Sequence, residues 1–447
     1  MTVAERIRLM SFHAQASSRH SGSPVNRPSK MKARPKAGRL VACTSILVSV
    51  CAMTAAQPSN HEWVASWQGS PTPGGTFYSP GCPSDVGLNN QTIRNVLHVS
   101  AGGDWVRVRI SNNAGNNPLA VGSASIALSA GGAAAAPDTL HPLRFGGESS
   151  VLIAAGGEAL SDPIPMTVHA QDNLDVSVYL PASTGPSTQH YYADQDNFLS
   201  SGDQTGSSAA TPFSSTISCW MFVSGVDVRA AERVRGTLIA FGDSITDGYL
   251  STNDANHRYP DDLARAFAAR RGDTLSVVNA GIIGNELLTI RPQLEFGYTA
   301  PFRFARDAVN QPGARAVILL EGINDIGDRS AKASDIIPVY LQLILQAHEA
   351  GLKIYGATLT PFAGSNAIYG GDYGTAAGEE QRLLVNAWIR SSGAFDGVID
   401  FDKAVRDPAN PAQLLPAYVG DPLHPNDAGY QAMANAVDLD AILDAID

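Results

Sequence analysis

The feature that most constrains this chain is a change of grammar at about Gly236. Beyond it, short apolar runs at 238–241, 275–278, 316–320, 354–359 and 398–399 alternate with helical patterns at 260–271, 302–310, 333–350 and 379–391. Pro260 suits the first turn of its helix, and Leu263, Ala266, Phe267 and Arg270 follow on one side. Five short buried strands separated by helices imply a parallel sheet wrapped on both faces. Sheets of this kind bind ligands at the carboxyl ends of their strands, so chemistry is expected just after the apolar runs.

The part before Gly236 obeys a different rule. From Trp63 to about Arg229 the chain reads as β-structure. Val106, Val108 and Ile110 alternate with Arg107 and Arg109, and Leu174, Val176, Val178 and Leu180 alternate with Asp175 and Ser177. Similar short runs occupy 92–99 and 119–128, separated by Gly, Asn, Pro and Ser clusters at 112–118 and 131–138. Such short strands with frequent turns predict an antiparallel, sandwich-like domain. Trp63 and Trp67 read as core residues, and the Ser/Thr/Gly-rich stretch 200–218 reads as a surface loop.

The 447 residues are too many for one ordinary core. The expected division is an N-terminal extension with a signal peptide over 1–56, a β-rich domain over 57–235 and an α/β domain over 236–447. The formal charge of -11 is unevenly spread: residues 1–40 hold nine Lys/Arg and one acid, leaving 22 bases against 41 acids beyond them. So acidic a body repels phosphate backbones and disfavours nucleic acid as a partner. Lys30, Lys32, Arg34, Lys36 and Arg39 precede an apolar run at 40–53 and the small residues Thr54, Ala55 and Ala56. That order of charge, apolar run and small residues is that of a signal peptide, with Met31 as a start of normal proportions. The run is short for a bilayer span, so no stable membrane insertion is expected after cleavage, and the address is secreted or periplasmic. Cys43 and Cys51 fall inside the signal. The remaining pair, Cys82 and Cys219, reads as one disulfide in an exported protein, against the alternative of two buried thiols. No CxxC, HExxH or His-rich tract supports a metal site, and no cofactor is expected.

Four blocks stand at the ends of the apolar runs or near the C-terminus. They are Gly242-Asp243-Ser244-Ile245-Thr246-Asp247-Gly248, Asn279-Ala280-Gly281-Ile282-Ile283-Gly284-Asn285, Gly322-Ile323-Asn324-Asp325, and Asp421-Pro422-Leu423-His424-Pro425-Asn426. In this order and at these places they resemble the GDSL/SGNH hydrolase superfamily, over roughly residues 236–447. The resemblance implies a flavodoxin-like three-layer sandwich with a five-stranded parallel sheet, and a serine ester hydrolase working without metal or cofactor. It further implies Ser244 as nucleophile, His424 as its base and Asp421 as the third member of the triad. The Ser244 amide, the Gly284 amide and the Asn324 side-chain amide would form the oxyanion hole. The physics agrees: a serine hydroxyl needs a base within hydrogen-bond reach, and a carboxylate on the far ring nitrogen fixes the tautomer. Glycine lets an amide come close, and a carboxamide donates without changing charge.

Neighbouring residues carry weaker expectations. Asp243 is offered as a substrate contact, with helix capping as the alternative. Tyr369 and Tyr373, in the Gly/Tyr-rich stretch 364–378, are expected to line an acyl or alcohol pocket. Asp325 and Glu321 read as local hydrogen-bond partners, and Glu286 places a charge beside the second block. The GxSxG elbow of ordinary α/β-hydrolases is absent, which disfavours that fold. The expected substrate, again by resemblance, is a short-chain or O-acetyl ester, including those of polysaccharides. The rival readings are a lipase or lysophospholipase, and a non-catalytic carbohydrate-binding or surface interaction protein.

Overall fold

In the computed structural model, which describes residues 63–75 and 81–446, the five apolar runs become five strands of one sheet. They are β1 (Val234–Gly242), β2 (Thr274–Gly281), β3 (Ala314–Leu320), β4 (Lys353–Ala357) and β5 (Gly397–Ile399). All are paired in parallel, in the order β2-β1-β3-β4-β5. This is the flavodoxin-like order, whose direction of winding reverses between β1 and β3 and opens a crevice at their carboxyl ends. Leu238, Ile239, Ala240 and Phe241 of β1 are fully buried, as a central strand covered on both faces requires.

The helices that cover the sheet or border its carboxyl ends include α1 (Ser244–Asp247), α2 (Tyr259–Ala268), α3 (Ala300–Phe304), α4 (Ile323–Arg329), α5 (Ala333–Glu349), α6 (Ala376–Ser391) and α7 (Asp427–Asn435). Leu263 and Phe267 of α2 and Ile336, Tyr340 and Leu343 of α5 face the sheet core, the i, i+4 and i, i+3 spacing of an amphipathic helix.

The β-rich part is antiparallel throughout. One sheet joins Trp63–Gln68, Val223–Ala230, Gly103–Ser111 and Glu158–Leu160; the other runs through Asn197–Ser201, Gln91–His98, Asn173–Leu180 and Ser123–Gly131. Val106, Val108 and Ile110 from the first sheet meet Leu174, Val176 and Val178 from the second in one core, all fully buried. The alternation departs from expectation on one strand: Asp175 and Ser177 are buried too, because Arg94 lies over that face and donates to Ser177 Oγ (2.9 Å). The stretch 200–218 is a loop for most of its length but contributes the edge strand Ser215–Ile217. Trp67 is buried edge-on against Trp220, while half-buried Trp63 carries Arg107 over its ring. Cys82 and Cys219 form a disulfide.

The described residues belong to one compact unit holding two cores. The seam between them is hydrogen-bonded. Ser276 Oγ of β2 donates to Ala65 O (2.5 Å) and meets Ser100 Oγ (2.7 Å), and Gln68 Nε2 donates to Asp307 O (2.9 Å). Among the described residues no helix is long and apolar enough to cross a membrane. The signal peptide, the start at Met31, and Cys43 and Cys51 lie outside the described residues.

Candidate active site

Chain direction changes sharply where β1 ends. Asp243 follows Gly242 and caps α1, its Oδ1 accepting from the Ile245 amide (3.0 Å). Ser244 then occupies the first helical position, so its amide is one of the donors a helix start leaves without an internal partner. Asp243, offered by the sequence as a substrate contact, is fully buried, and capping is what its geometry serves.

The opposite wall is the loop before α7. Asp421 Oδ1 accepts from the amides of Leu423 (2.7 Å) and His424 (2.8 Å), while the Gly420 and Asp421 amides donate back to His424 O (3.0 and 3.1 Å). Asn426 closes the loop by capping α7. This knot delivers the His424 ring to Ser244: Nε2 lies 2.9 Å from Ser244 Oγ, and Nδ1 lies 3.1 Å from both Asp421 oxygens. Tyr369 Oη donates to Asp421 Oδ2 (2.6 Å). Burial would raise the Asp421 pKa, but the hydrogen bond and charge of His424, the Tyr369 hydroxyl and the backbone donor together pull it down to about 2. An ionised carboxylate only accepts, so the proton on His424 sits at Nδ1 and Nε2 is free to accept from the serine.

The second block forms a tight turn. Asn285 N donates to Ile282 O (3.1 Å), with Gly284 at the third position and φ +71°. That position of a type II turn demands positive φ, and a Cβ there would also stand 2.9 Å from the Phe296 ring. Two hydrogen bonds tie this turn to the Ser244 turn: Ile282 N to Gly242 O (3.0 Å) and Ile283 N to Asp247 Oδ2 (3.0 Å). A third links it to Asn324 at the start of α4, whose Nδ2 donates to Asn285 O (2.9 Å). Tyr373 Oη donates to Asn324 Oδ1 (2.7 Å) and itself accepts from Arg291 Nη2 (3.0 Å). The two partners of Asn324 fix which way its amide faces and leave one N–H of Nδ2 uncommitted by them. Tyr369 and Tyr373, expected at a substrate pocket, thus have their hydroxyls engaged with Asp421 and Asn324.

Beneath these turns lies a residue the sequence reading missed. Arg303 of α3 is fully buried and donates to Gly242 O (2.8 Å), Ala280 O (2.7 Å), Asn285 Oδ1 (2.8 Å) and Glu321 Oε1 (3.0 Å), with its guanidinium 3.9 Å over the Phe241 ring. One side chain thereby binds the ends of three strands and the Gly284 turn. Burial pushes Asp243 and Asp325 up to about 7 and raises Glu321 as well. Asp325 accepts from the Leu287 and Leu288 amides (both 2.9 Å). Glu286, the charge expected beside the turn, is buried and faces two guanidiniums, Arg291 at 2.7 Å and Arg329 at 3.1 Å. Among the described residues no group of His, Cys, Asp and Glu could hold a metal ion.

Residues 240–432 match the model of the GDSL-like lipase/acylhydrolase family, a span that contains Ser244, Gly284, Asn324, Asp421 and His424. The chain carries a GDSL-like lipase/acylhydrolase domain. Solved structures similar to it include the M. smegmatis aryl esterase (16% identity, 45% of this chain and 95% of that one, TM-score 0.36). A GDSL-like lipase from Bacteroides thetaiotaomicron matches at 18% identity over 47% of this chain and 89% of its own, TM-score 0.36. A carbohydrate acetylesterase from Sinorhizobium meliloti matches at 15% identity over 45% and 95%, TM-score 0.35. No curated protein matches the sequence. In this GDSL-like domain the family blocks all fall at carboxyl ends of strands or on the loop before α7, where the winding reversal places a crevice.

Proposed function

We propose that the chain is a secreted serine ester hydrolase acting through an acyl-enzyme, with 236–447 as its catalytic domain and 57–235 as a β-rich partner domain. The observation that carries this reading is the single hydrogen-bonded line from Ser244 Oγ through His424 to Asp421, beside the Gly284 turn and the Asn324 amide. Ser244 Oγ attacks the ester carbonyl carbon as its proton passes to His424 Nε2. The carbonyl oxygen becomes an oxyanion held by the Ser244 and Gly284 amides and Asn324 Nδ2. On collapse the C–O bond to the alcohol breaks, and His424 returns the proton to the departing oxygen. Water then attacks the acyl-serine, giving its proton to His424 and, on collapse, releasing the acid and regenerating the serine hydroxyl.

For substrate we propose short-chain or O-acetyl esters, with acylated polysaccharides as the natural class. The disulfide supports an oxidising compartment. A second reading, longer acyl chains, is favoured by one observation: Leu288, Ile290 and Leu294, which follow the Gly284 turn, are 37, 44 and 46% exposed. Purified protein assayed on p-nitrophenyl esters from acetate to palmitate separates the two. Acid release from acetylated xylan, pectin and phospholipid then ranks natural substrates. Failure to hydrolyse any of these, or activity that survives in both Ser244→Ala and His424→Ala, sinks the proposal.

A further inference from the structure

Three consecutive residues of the β-rich part, His190, Tyr191 and Tyr192, reach all three working parts of the site. His190 ends the strand Thr188–His190, which pairs with Trp220–Met221 and Thr72–Pro73. Its ring is buried, with Nε2 2.9 Å from Asp247 Oδ1 and Nδ1 3.0 Å from Ser70 O. Ser70 O can only accept, so Nδ1 carries hydrogen, while Nε2 faces the Asp247 carboxyl; burial would lower the imidazole's pKa, but the charge and hydrogen bond of Asp247 outweigh it and raise that pKa. Asp247 closes α1, the helix that Ser244 opens, and its other oxygen accepts from Ile283, next to Gly284. The pair therefore pins the nucleophile turn and the oxyanion-side turn to each other from outside the α/β core.

The next two residues continue the pattern. Tyr191 packs edge-on against Phe296 (5.9 Å between ring centres), the ring that backs Gly284. Tyr192 packs against Tyr249 (5.2 Å), which in turn stands edge-on to His424 (4.7 Å). We infer that His190, Tyr191 and Tyr192 are positioning residues for acyl transfer, by which the β-rich part fixes nucleophile, oxyanion donors and base in register. The inference rests on the ester-hydrolase reading above, since it assigns work to that same site.

Full-length protein tests it with p-nitrophenyl acetate and with phosphonylation of Ser244 by a p-nitrophenyl phosphonate. His190→Ala and Tyr192→Ala are expected to lower kcat by about 10–100-fold and slow phosphonylation in step, as slight misplacement of reacting groups does, with KM nearly unchanged. Tyr192→Phe keeps the ring against Tyr249 while giving up the hydroxyl's hydrogen bond to Asp194, and it is expected to stay within about fivefold of the parent, because the ring is the part that meets Tyr249 and, through it, His424. Should His190→Ala fail to fold, Tyr192→Ala against Tyr192→Phe decides the matter. Folded alanine variants with unchanged kcat, or with a raised KM alone, overturn the inference. A parent protein inactive on every ester would instead remove the functional reading beneath it.

Discussion

The two halves of the molecule bury polar side chains to different ends. In the β-rich half, Arg94 is fully buried and donates to Ser177 Oγ, Ala133 O and Ser207 O, closing one face of the sandwich. In the α/β half, Arg303 is equally buried, but its acceptors are the strand ends and the turn that border Ser244. The same residue type thus seals a surface in one half and gathers the turns around Ser244 in the other. Chemistry collects at strand ends because a parallel sheet brings several ends together, whereas an antiparallel sandwich sends successive strands out at opposite rims. The β-rich half reaches the Ser244, Gly284 and His424 elements where 190–192 crosses the seam.

The comparison breaks most visibly if the triad carbonyl chemistry does not reside in the α/β half. Asp421→Asn keeps the shape and removes the charge that orders the His424 tautomer, so kcat is expected to fall about 10⁴-fold. Steady-state assays with p-nitrophenyl acetate check this, and a loss under tenfold would mean that the loop backbone, not the carboxylate, orients the ring. Gly284→Ala is expected to cost about 10²–10³ in kcat, the effect of losing one oxyanion donor. Its cause is local: φ of +71° and the Phe296 ring 2.9 Å from the added carbon force the turn to move. Normal turnover in that variant would take Gly284 out of the oxyanion hole.

On the β-rich side the expected effect is on stability. Cys82 and Cys219 are 137 residues apart, and opening so long a loop by changing both to serine should lower stability by about 2–5 kcal/mol. Urea unfolding measures it. Turnover of the still-folded double variant is expected to match the parent, since neither sulfur touches the site. A matching drop in kcat would blur the division between the halves.

How much of this could be read from residues alone divides along the same boundary. The five strands and the Ser244, Asp421 and His424 constellation were legible because apolar runs and motif blocks are local in sequence. Arg303 was not: in the pattern at 302–310 it resembles any helix-surface arginine, and its acceptors come from positions 242, 280, 285 and 321. Tyr369 and Tyr373 drew attention as ring residues in a glycine-rich stretch, but only folding reveals that their hydroxyls hold Asp421 and Asn324. His190 lies 57 residues before Asp247 with no motif around it.

The finest comparison concerns two buried carboxyls, Asp175 in the sandwich and Asp243 beneath Ser244, each pushed up to about 7 by burial. Both have higher pKa values folded than unfolded, so the native state holds more protons than the unfolded chain between about pH 4 and pH 7. Stability from these groups is therefore lost as pH rises through that window. Asparagine in place of either removes its proton and should flatten the fall, by at most about 1.4 kcal/mol per pH unit. In Asp243→Asn the new carboxamide oxygen can still accept from the Ile245 amide, so α1 keeps its cap. Urea midpoints measured from pH 4.5 to 8 should then show a shallower slope in both variants, while kcat changes only in Asp243→Asn, because Asp243 adjoins Ser244 and Asp175 lies in the other core. An unchanged slope in Asp243→Asn would mean that this carboxyl is already ionised at pH 4.5. In that case the hydrogen bond from the Ile245 amide, helped by the attractive charge of Arg303, and not burial, governs the layer under Ser244.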